Sequence, residues 1–349
     1  MRLLGKILLF FLILSFVVVQ LFKYNDNWKN FYNLYVQRGV SLIQRFLVGT
    51  AKFSVGEIII ILVILLLIFI LVLLVNAIVN YKLLDTYKSI NLCIWVVNLS
   101  LFFYVSYQTL WGLNYNMQPN KYFTNQSYST NLIYDIEDLK SLANTLLDKI
   151  QYSYSQVVNQ EPQSLDKIYD KAFLPYKRYL IYKSIKPSLF SGLLSYSGVS
   201  GYYNFISGEA IINKNYPVFL LPFVVCHEIA HQKGIASEGQ ANFEGFMHAL
   251  QTKDPVFIYS ASITAFFYTL RYIGLNSSQD DVKVFVNELP GGVKDDMEKY
   301  YAYIKKYKGK IDRVTSVIYD AFLKSNKQVN GIRSYDEYVY LLIQWNKSL

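Results

Sequence analysis

The chain of 349 residues is 53% hydrophobic and only 17% charged, and it carries a formal net charge of +9. This balance excludes an ordinary soluble protein. Most of the net positive charge lies before residue 113, where contact with lipid headgroups explains it. A nucleic-acid partner is not indicated, because the remainder has no basic block interleaved with aromatic side chains. Two cysteines provide no disulfide framework.

Three apolar segments near the N-terminus predict transmembrane helices. Residues 58–75 are all apolar, and about 20 such residues cross the hydrocarbon core of a bilayer. We expect the complete spans at 7–22, 58–79 and 90–112. No small-residue cleavage site follows the first span, which favours an uncleaved anchor. Residues 1–113 are therefore predicted to form a membrane region, which makes this a multi-pass protein of the cell membrane.

The segment 28–54, between the first two spans, is neither apolar enough to cross a membrane nor polar enough for a plain loop. Its apolar side chains recur at helical spacing, with basic residues among them. This pattern is typical of a helix in the membrane interface. A helix packed on a soluble domain fits the pattern equally well.

A second domain is predicted for residues 131–349, after a polar linker at 123–131. Residues 131–160 and 164–184 have the pattern of amphipathic helices, the second capped by Ser164.

The remainder of this domain mixes a short strand region with further helices. Glycine and serine punctuate residues 189–215 in the manner of short strands and turns. Helical patterns return from Pro217, and the run 263–275 is expected to be a buried core helix because it is too short to span. The predicted fold class is a multi-span α-helical membrane anchor plus a mainly α (α+β) domain with a small β-sheet or hairpin.

The stretch CHEIAHQKGIASEGQANFEGF at 226–246 carries the candidate chemistry. Pro222 suits the first turn of a helix on which His227 and His231 lie four residues apart, on one face. Two imidazoles so placed can hold one Zn²⁺ ion, and Glu228 lies beside them to activate a water molecule.

A zinc peptidase needs a third protein ligand, for which we select Glu238. Gly234 suits the end of the first helix and Ser237 the N-cap of a second, so a sharp turn would return Glu238 to the metal. Asn242 would then hydrogen-bond a ligand from outside the metal's own shell. Two alternatives stay open: Glu238 only stabilises the helix N-terminus, or Glu244 is the third ligand.

The stretch HEIAHQKGIASEGQANFEGF resembles the motif of a bacterial membrane family catalogued as domain of unknown function 3810. LWGLNYNMQP at 110–119, GYYNFISGEAIIN at 201–213 and NGIRSYDEYVYLLIQW near the C-terminus match it as well. The usual family pattern resembles ExEAN, but this chain has Gln240 at the second acidic position. If that acid were the metal ligand, the site here would be defective.

The wider group of gluzincin peptidases places a ligand glutamate four residues before a polar aspartate. Glu238 and Asn242 match that spacing, with asparagine in place of aspartate. By analogy, the resemblance implies a zincin-like, gluzincin-like metallopeptidase domain. In gluzincins a strand just upstream of the metal helix pairs with an extended substrate. The same stretch also fits an ordinary strand in a small sheet. The residues expected in this strand are Gly208, Glu209, Ala210 and Ile211.

A peptidase also needs a donor for the tetrahedral oxyanion. The candidates, chosen among 32 tyrosines, are Tyr202, Tyr203 and Tyr268.

These residues predict a membrane-anchored, zinc-dependent metallopeptidase in which Glu228 is catalytic and His227, His231 and Glu238 hold Zn²⁺. Its expected partners are the lipid bilayer and a peptide or protein substrate, either membrane-associated or free. One alternative is a catalytically inactive membrane sensor or scaffold with a structural or vestigial metal site. Another is a transporter component in which the spans act. An odd number of spans places the domain opposite the N-terminus, and because the N-terminus resembles a signal anchor we expect an extracytoplasmic domain.

Overall fold

The computed structural model describes residues 2–79, 86–116, 135–177, 181–326, 328, 331 and 335–349. The predicted linker 123–131 lies outside these residues. The described part is mainly helical, with a small three-stranded sheet. Its α-helices, in chain order, are α1 (Arg2–Tyr24), α2 (Asp26–Phe31), α3 (Arg38–Val48), α4 (Val55–Val79), α5 (Thr86–Leu110), α6 (Ile136–Val157), α7 (Leu165–Phe173), α8 (Ser191–Tyr196), α9 (Leu221–Gln232), α10 (Glu238–Gln251), α11 (Pro255–Asn276), α12 (Gln279–Asn287), α13 (Gly291–Tyr307), α14 (Lys310–Ser325) and α15 (Tyr335–Lys347).

The sheet consists of β1 (Ile185–Pro187), β2 (Gly201–Asn204) and β3 (Glu209–Ile212), in the spatial order β1-β3-β2. β3 pairs in parallel with β1 and antiparallel with β2. β3 is therefore the central strand, and β2 is an edge strand.

Four described helices are long and apolar enough to cross a membrane: Leu3–Tyr24, Val55–Leu73, Ile90–Leu110 and Pro255–Asn276. In the first three helices, 17%, 11% and 6% of the most apolar stretch of 18 residues is buried, whereas in the fourth helix 67% of it is buried. The expectation that 263–275 is too short to span is wrong, because the helix begins at Pro255. Its burial nevertheless agrees with the expected core helix.

The first and third apolar helices, α1 and α5, run side by side in the same direction. The side-chain amide of Asn98 donates to the Gly5 carbonyl at 2.9 Å, and further along both helices the Phe16 and Tyr104 rings lie 5.4 Å apart. Gly5 permits this approach, because a Cβ there would lie 3.3 Å from Ile94. Both helices therefore end at the same side.

The second apolar helix, α4, begins directly on the sheet. The Glu209 carboxylate, on β3, accepts hydrogen bonds from the Gly56 and Val55 amides at 2.7 and 3.2 Å. Hydroxyl groups of Ser54 and Ser207 complete its shell. A carboxylate is stabilised at this position because helix N-termini carry partial positive charge.

The helix α3 turns its polar side inward. Ser41 donates to the Gln232 carbonyl, and Gln44 donates to the Phe205 carbonyl at 2.8 Å. The large apolar side chains of α3 are exposed instead; these are Ile43, Phe46 and Leu47. The segment 28–54 thus packs on the domain by one face and leaves an apolar face uncovered.

The main hydrophobic core of the described residues surrounds α9. α6 packs along α11, and buried side chains such as Leu142 and Ile150 join the cluster that includes α9 and α10. An amphipathic helix was expected at 131–160, and α6 lies within that range, with Asp135 as its N-cap. The helix capped by Ser164 is shorter than predicted, because it ends at Phe173, just before Pro175.

Candidate metal centre

The helix α9 ends in a tight C-terminal turn. Gly234 has φ +91°, its amide bonds to the His231 carbonyl, and the Ile235 amide bonds to the Ala230 carbonyl. These two bonds define a Schellman motif, which requires a left-handed residue that glycine adopts without strain. Pro222 lies in the first turn of α9, where its lack of an amide hydrogen costs nothing.

The next helix, α10, begins three residues after this turn and crosses α9 closely. Ser237 is its N-cap and accepts a hydrogen bond from the Gln240 amide at 3.4 Å. At Gly245 a Cβ would lie 2.9 Å from the His227 amide nitrogen. The absence of a side chain at Gly245 therefore sets how near the two helices approach at the first histidine.

Three side chains from this helix pair converge. The two Nε2 atoms of His227 and His231 are 3.1 Å apart. Nε2 of His227 lies 3.4 Å from one carboxylate oxygen of Glu238, and Nε2 of His231 lies 3.6 Å from the other. Tetrahedral zinc with bonds of about 2.0 Å has ligand atoms about 3.3 Å apart. The separations of these donor atoms fit a zinc ion.

The turn after α9 also orients His231. Nδ1 of its ring bonds to the Ile235 carbonyl at 2.6 Å. Because a carbonyl only accepts, this bond places a proton on Nδ1 and turns Nε2 toward Glu238. In contrast, Nδ1 of His227 is buried without a hydrogen-bond partner among the described residues.

The charges of the cluster are strongly coupled. Burial alone would raise the pKa of the Glu238 carboxyl, but the adjacent His231 and hydrogen bonds from both histidines hold this pKa well below its usual range. Burial alone would lower the pKa of His231, but the Glu238 carboxylate outweighs it and raises the pKa to about 9. Such a buried cluster is costly unless its charges are paired.

Glu228 lies beside the two histidines, with donor atoms of all three residues within 4.8 Å of one another. Burial raises the pKa of its carboxyl to about 7, against the opposing effect of the histidines. Its Oε2 atom has no hydrogen-bond partner in the described parts of the chain. The carboxylate lies against Gly201 of β2, where a Cβ would come within 2.9 Å of Oε1.

A cavity of about 710 Å³ gives access to the cluster. Its walls come from β2, from α14, and from the last turns of α5 with the residues that follow. Two contacts there were missed from the sequence. The Tyr319 hydroxyl donates to Glu238 Oε1 at 2.5 Å, and the Trp111 ring meets His231 edge-on at 5.9 Å. Tyr319 lies in none of the stretches quoted above, and although Trp111 lies in LWGLNYNMQP, only the fold reveals its contact with His231.

A smaller cavity of about 290 Å³ also borders His227 and is lined by Asn242, Tyr268 and Arg271 as well. The Asn242 amide nitrogen is buried without a hydrogen-bond partner among the described residues. The expected bond from Asn242 to a metal ligand is therefore not formed through that atom.

The three candidate oxyanion donors lie in different places. The Tyr202 hydroxyl donates to Glu57 at 3.2 Å, so it is already engaged at the start of α4. The Tyr203 ring packs against Trp111, with 4.7 Å between centroids. Tyr268 lines the smaller cavity together with His227.

The expectation that the strand from Gly208 to Ile211 pairs with substrate is wrong. β3, which contains Glu209, Ala210 and Ile211, is the central strand, so both of its edges are already paired. Gly208 precedes it in a turn with φ +71°. The edge strands among the described residues are β1 and β2, and β2 lines the larger cavity beside Glu228.

The competing acidic and amide residues of α10 point elsewhere. Glu244 forms an ion pair with Lys233. The Gln240 side chain donates to Glu337 at 3.0 Å, as Ser237 does at 2.7 Å. Gln240 thus contributes to packing against α15 and leaves the cluster to Glu238.

Comparison with known proteins identifies a family but no relative of known activity. No curated protein and no solved structure matches the chain. A family model described as "Protein of unknown function (DUF3810)" matches residues 32–343, which include both the apolar helices α4 and α5 and the His-Glu cluster. The chain therefore belongs to the DUF3810 family of proteins of unknown function.

Proposed function

We propose that this chain is a membrane-anchored, zinc-dependent metallopeptidase. One observation carries the proposal: the Nε2 atoms of His227 and His231 lie 3.1 Å apart, and each lies 3.4 to 3.6 Å from a different carboxylate oxygen of Glu238. This spacing suits the edges of a zinc tetrahedron, and three protein ligands leave the fourth position open, as in catalytic zinc sites. The spacing follows from the two helix ends and from the close crossing at Gly245.

Zinc held by these three residues would polarise a peptide carbonyl and acidify a water molecule. Glu228 would take the proton from that water on its unpartnered Oε2 and later deliver it to the leaving amine nitrogen. Tyr268 remains a candidate for the oxyanion donor.

The edge strand β2 offers a place for a peptide. The Ser200 carbonyl accepts from the Asn213 amide just after β3, and the Asn204 carbonyl accepts from the Gly208 amide just before it. Because such bonds alternate along an antiparallel strand, the backbone groups of Gly201 and Tyr203 point to the free edge. An extended peptide added there would pass beside Glu228.

The membrane anchor is proposed to comprise α1, α4 and α5 as three spans. The common direction of α1 and α5 supports a C-terminal domain on the side opposite the N-terminus. An extracytoplasmic domain follows if α1 acts as a signal anchor.

The test is the zinc content of the purified full chain. We expect about one zinc per chain, and its loss in His231→Ala and Glu238→Ala. Glu244→Ala is the matched control on the same helix, and it should keep the metal because Glu244 pairs with Lys233. Absence of zinc from the wild type, with no uptake on titration, would refute the peptidase.

A sensor or scaffold with a structural or vestigial metal is the alternative. Glu228→Gln separates the two, because a peptidase needs this carboxylate for turnover while a structural zinc site does not. If the wild type and Glu228→Gln both bind zinc and do not differ in hydrolysis of a peptide library, the sensor is favoured.

A further inference from the structure

The helix α14 carries an apolar stripe that is open to solvent. Ile311, Val314 and Ile318 follow one another at helical spacing, and their side chains are 49%, 58% and 64% exposed. Val317 beside them is 70% exposed. The adjacent face of the same helix lines the larger cavity through Tyr319. An exposed apolar surface of this kind marks an interaction site.

This stripe continues to the end of an apolar helix. One turn beyond Ile318, the Phe322 ring contacts the Tyr107 ring of α5 at 6.0 Å. The Tyr107 hydroxyl also donates to Asn326, just after α14, at 2.9 Å. The exposed stripe is therefore continuous with the last turns of a helix that is apolar enough to cross a bilayer.

A second exposed apolar group lies at the start of α8. Leu189, Phe190 and Leu193 are 48%, 41% and 60% exposed. The Leu189 amide donates to Glu57 in the first turn of α4 at 2.7 Å. At the other end of α8, a Cβ on Gly198 would lie 3.8 Å from Asp312 of α14. The residues after α8 thus lie close to the start of α14, while the two apolar groups are tied to α4 through Leu189 and to α5 through Phe322.

Basic residues precede the stripe. Lys305, Lys306, Lys308 and Lys310 are all exposed, at the junction of α13 and α14. Basic side chains beside an apolar helix face are typical of helices that lie in the headgroup region, because ammonium groups attract anionic lipids.

We infer that the α8–α14 surface, formed by Leu189, Phe190, Leu193, Ile311, Val314 and Ile318, lies in the bilayer interface. The occupant is lipid, because the surface continues α4 and α5 and carries cations that match anionic headgroups. The larger cavity then opens at the membrane surface. Together with the proposed peptidase function, on which this part rests, the substrate class is a membrane-anchored polypeptide with its scissile bond close to the bilayer.

The depth of the surface can be measured without any enzymatic activity. In a Cys93→Ser background, which leaves only the buried Cys226, a fluorophore is attached to Ile318→Cys or, as control, to Asp280→Cys on α12. Each full-length chain is reconstituted in vesicles of phosphatidylethanolamine, phosphatidylglycerol and a phosphatidylcholine spin-labelled near its headgroup. We expect loss of most fluorescence at residue 318 and none at residue 280. Equal fluorescence at both positions would overturn the inference, whether or not zinc binds.

The substrate class has a separate test. A quenched fluorogenic peptide with a palmitoyl chain is compared with the same peptide without it, in zinc-loaded vesicles. The anchored peptide should be cleaved faster, and Val314→Glu with Ile318→Glu should remove that advantage while zinc content is unchanged. Equal rates for both peptides in the wild type would contradict this substrate class. Cleavage of neither peptide would count against the peptidase, while quenching at residue 318 would still establish the lipid surface.

Discussion

The carboxylates of Glu209 and Glu238 are both buried, yet their surroundings differ in kind. Glu209 receives backbone amides of Val55 and Gly56 and two serine hydroxyls, all of them neutral donors. Glu238 receives one tyrosine hydroxyl and otherwise faces two imidazole nitrogens at 3.4 and 3.6 Å.

The comparison separates structural burial from functional burial. Around Glu209 every hydrogen-bond partner is a backbone amide or a serine hydroxyl, so the carboxylate joins β3 to the start of α4 without a bound cation. Around Glu238 the nitrogen and oxygen atoms converge on one another, which is favourable only with protons or a cation between them. An acid that is hydrogen-bonded by its fold is expected to support stability, and an acid that faces histidines is expected to support chemistry.

The largest effect is expected on catalysis. Glu228→Gln should lower peptide hydrolysis by about 10²–10⁴-fold, the usual contribution of a general base. Zinc content should not change, because this carboxylate is not among the proposed ligands. Hydrolysis is measured with the fluorogenic peptide, and Glu244→Gln serves as a control of equal chemistry. A variant as active as the wild type would exclude Glu228 as the base.

A smaller effect is expected on stability. Glu209→Gln should lower the free energy of unfolding by about 3 kcal/mol, because an amide group would face donors and leave at least one buried amide unpaired. Denaturant unfolding of the metal-free chain in detergent measures this. Glu238→Gln should cost less than Glu209→Gln under the same conditions. The contrast between the two acids fails if Glu238→Gln costs as much.

The helix crossing gives a third prediction. In Gly245→Ala the new methyl group would press on the His227 backbone, because the added Cβ would lie only 2.9 Å from the His227 amide nitrogen. We expect zinc affinity to fall about 10-fold, as for other groups that position metal ligands. Gly291→Ala is the control, because no atom lies within 4 Å of its Cβ position. Titration with a competing chelator reports the difference, and equal affinities would disprove the role of the crossing.

The smallest effect concerns the third histidine. Burial lowers the pKa of His248 to about 4, and its Nε2 atom lies 3.0 Å from the Ala172 carbonyl. The unfolded chain, with a histidine pKa of about 6.5, therefore binds more protons than the folded chain between about pH 4 and 6.5. Stability from this group is therefore complete above pH 6.5 and is lost as pH falls toward 4. Between pH 7 and 5, His248→Gln should lose less stability than the wild type in thermal unfolding; equal losses would contradict the assignment.

Local signals in the sequence predicted the local geometry of the site. Gly234 and Ser237 have backbone preferences of their own, so the end of one helix and the start of the next could be placed before any fold was known. That turn was enough to expect Glu238 near His227 and His231.

Long-range pairing could not be predicted in the same way. The sequence of β3 is the same whether its edges are free or paired, and only the positions of β1 and β2 decide this. Tyr319 and Trp111 are likewise far along the chain from the cluster that they contact. The apolar run at 263–275 was expected in the core, but the start of its helix at Pro255 escaped the pattern.

The attachment of α4 to Glu209 has a consequence for handling the protein. In the proposed arrangement, α4 lies in the bilayer along its length. The first turn of this helix is hydrogen-bonded to Glu209 of β3, the strand that pairs with β2. A change in bilayer thickness or lateral pressure would tilt α4 and pull on the sheet that forms one wall of the cavity. Activity measured in detergent micelles should therefore differ from activity in bilayers, even when zinc occupancy is the same.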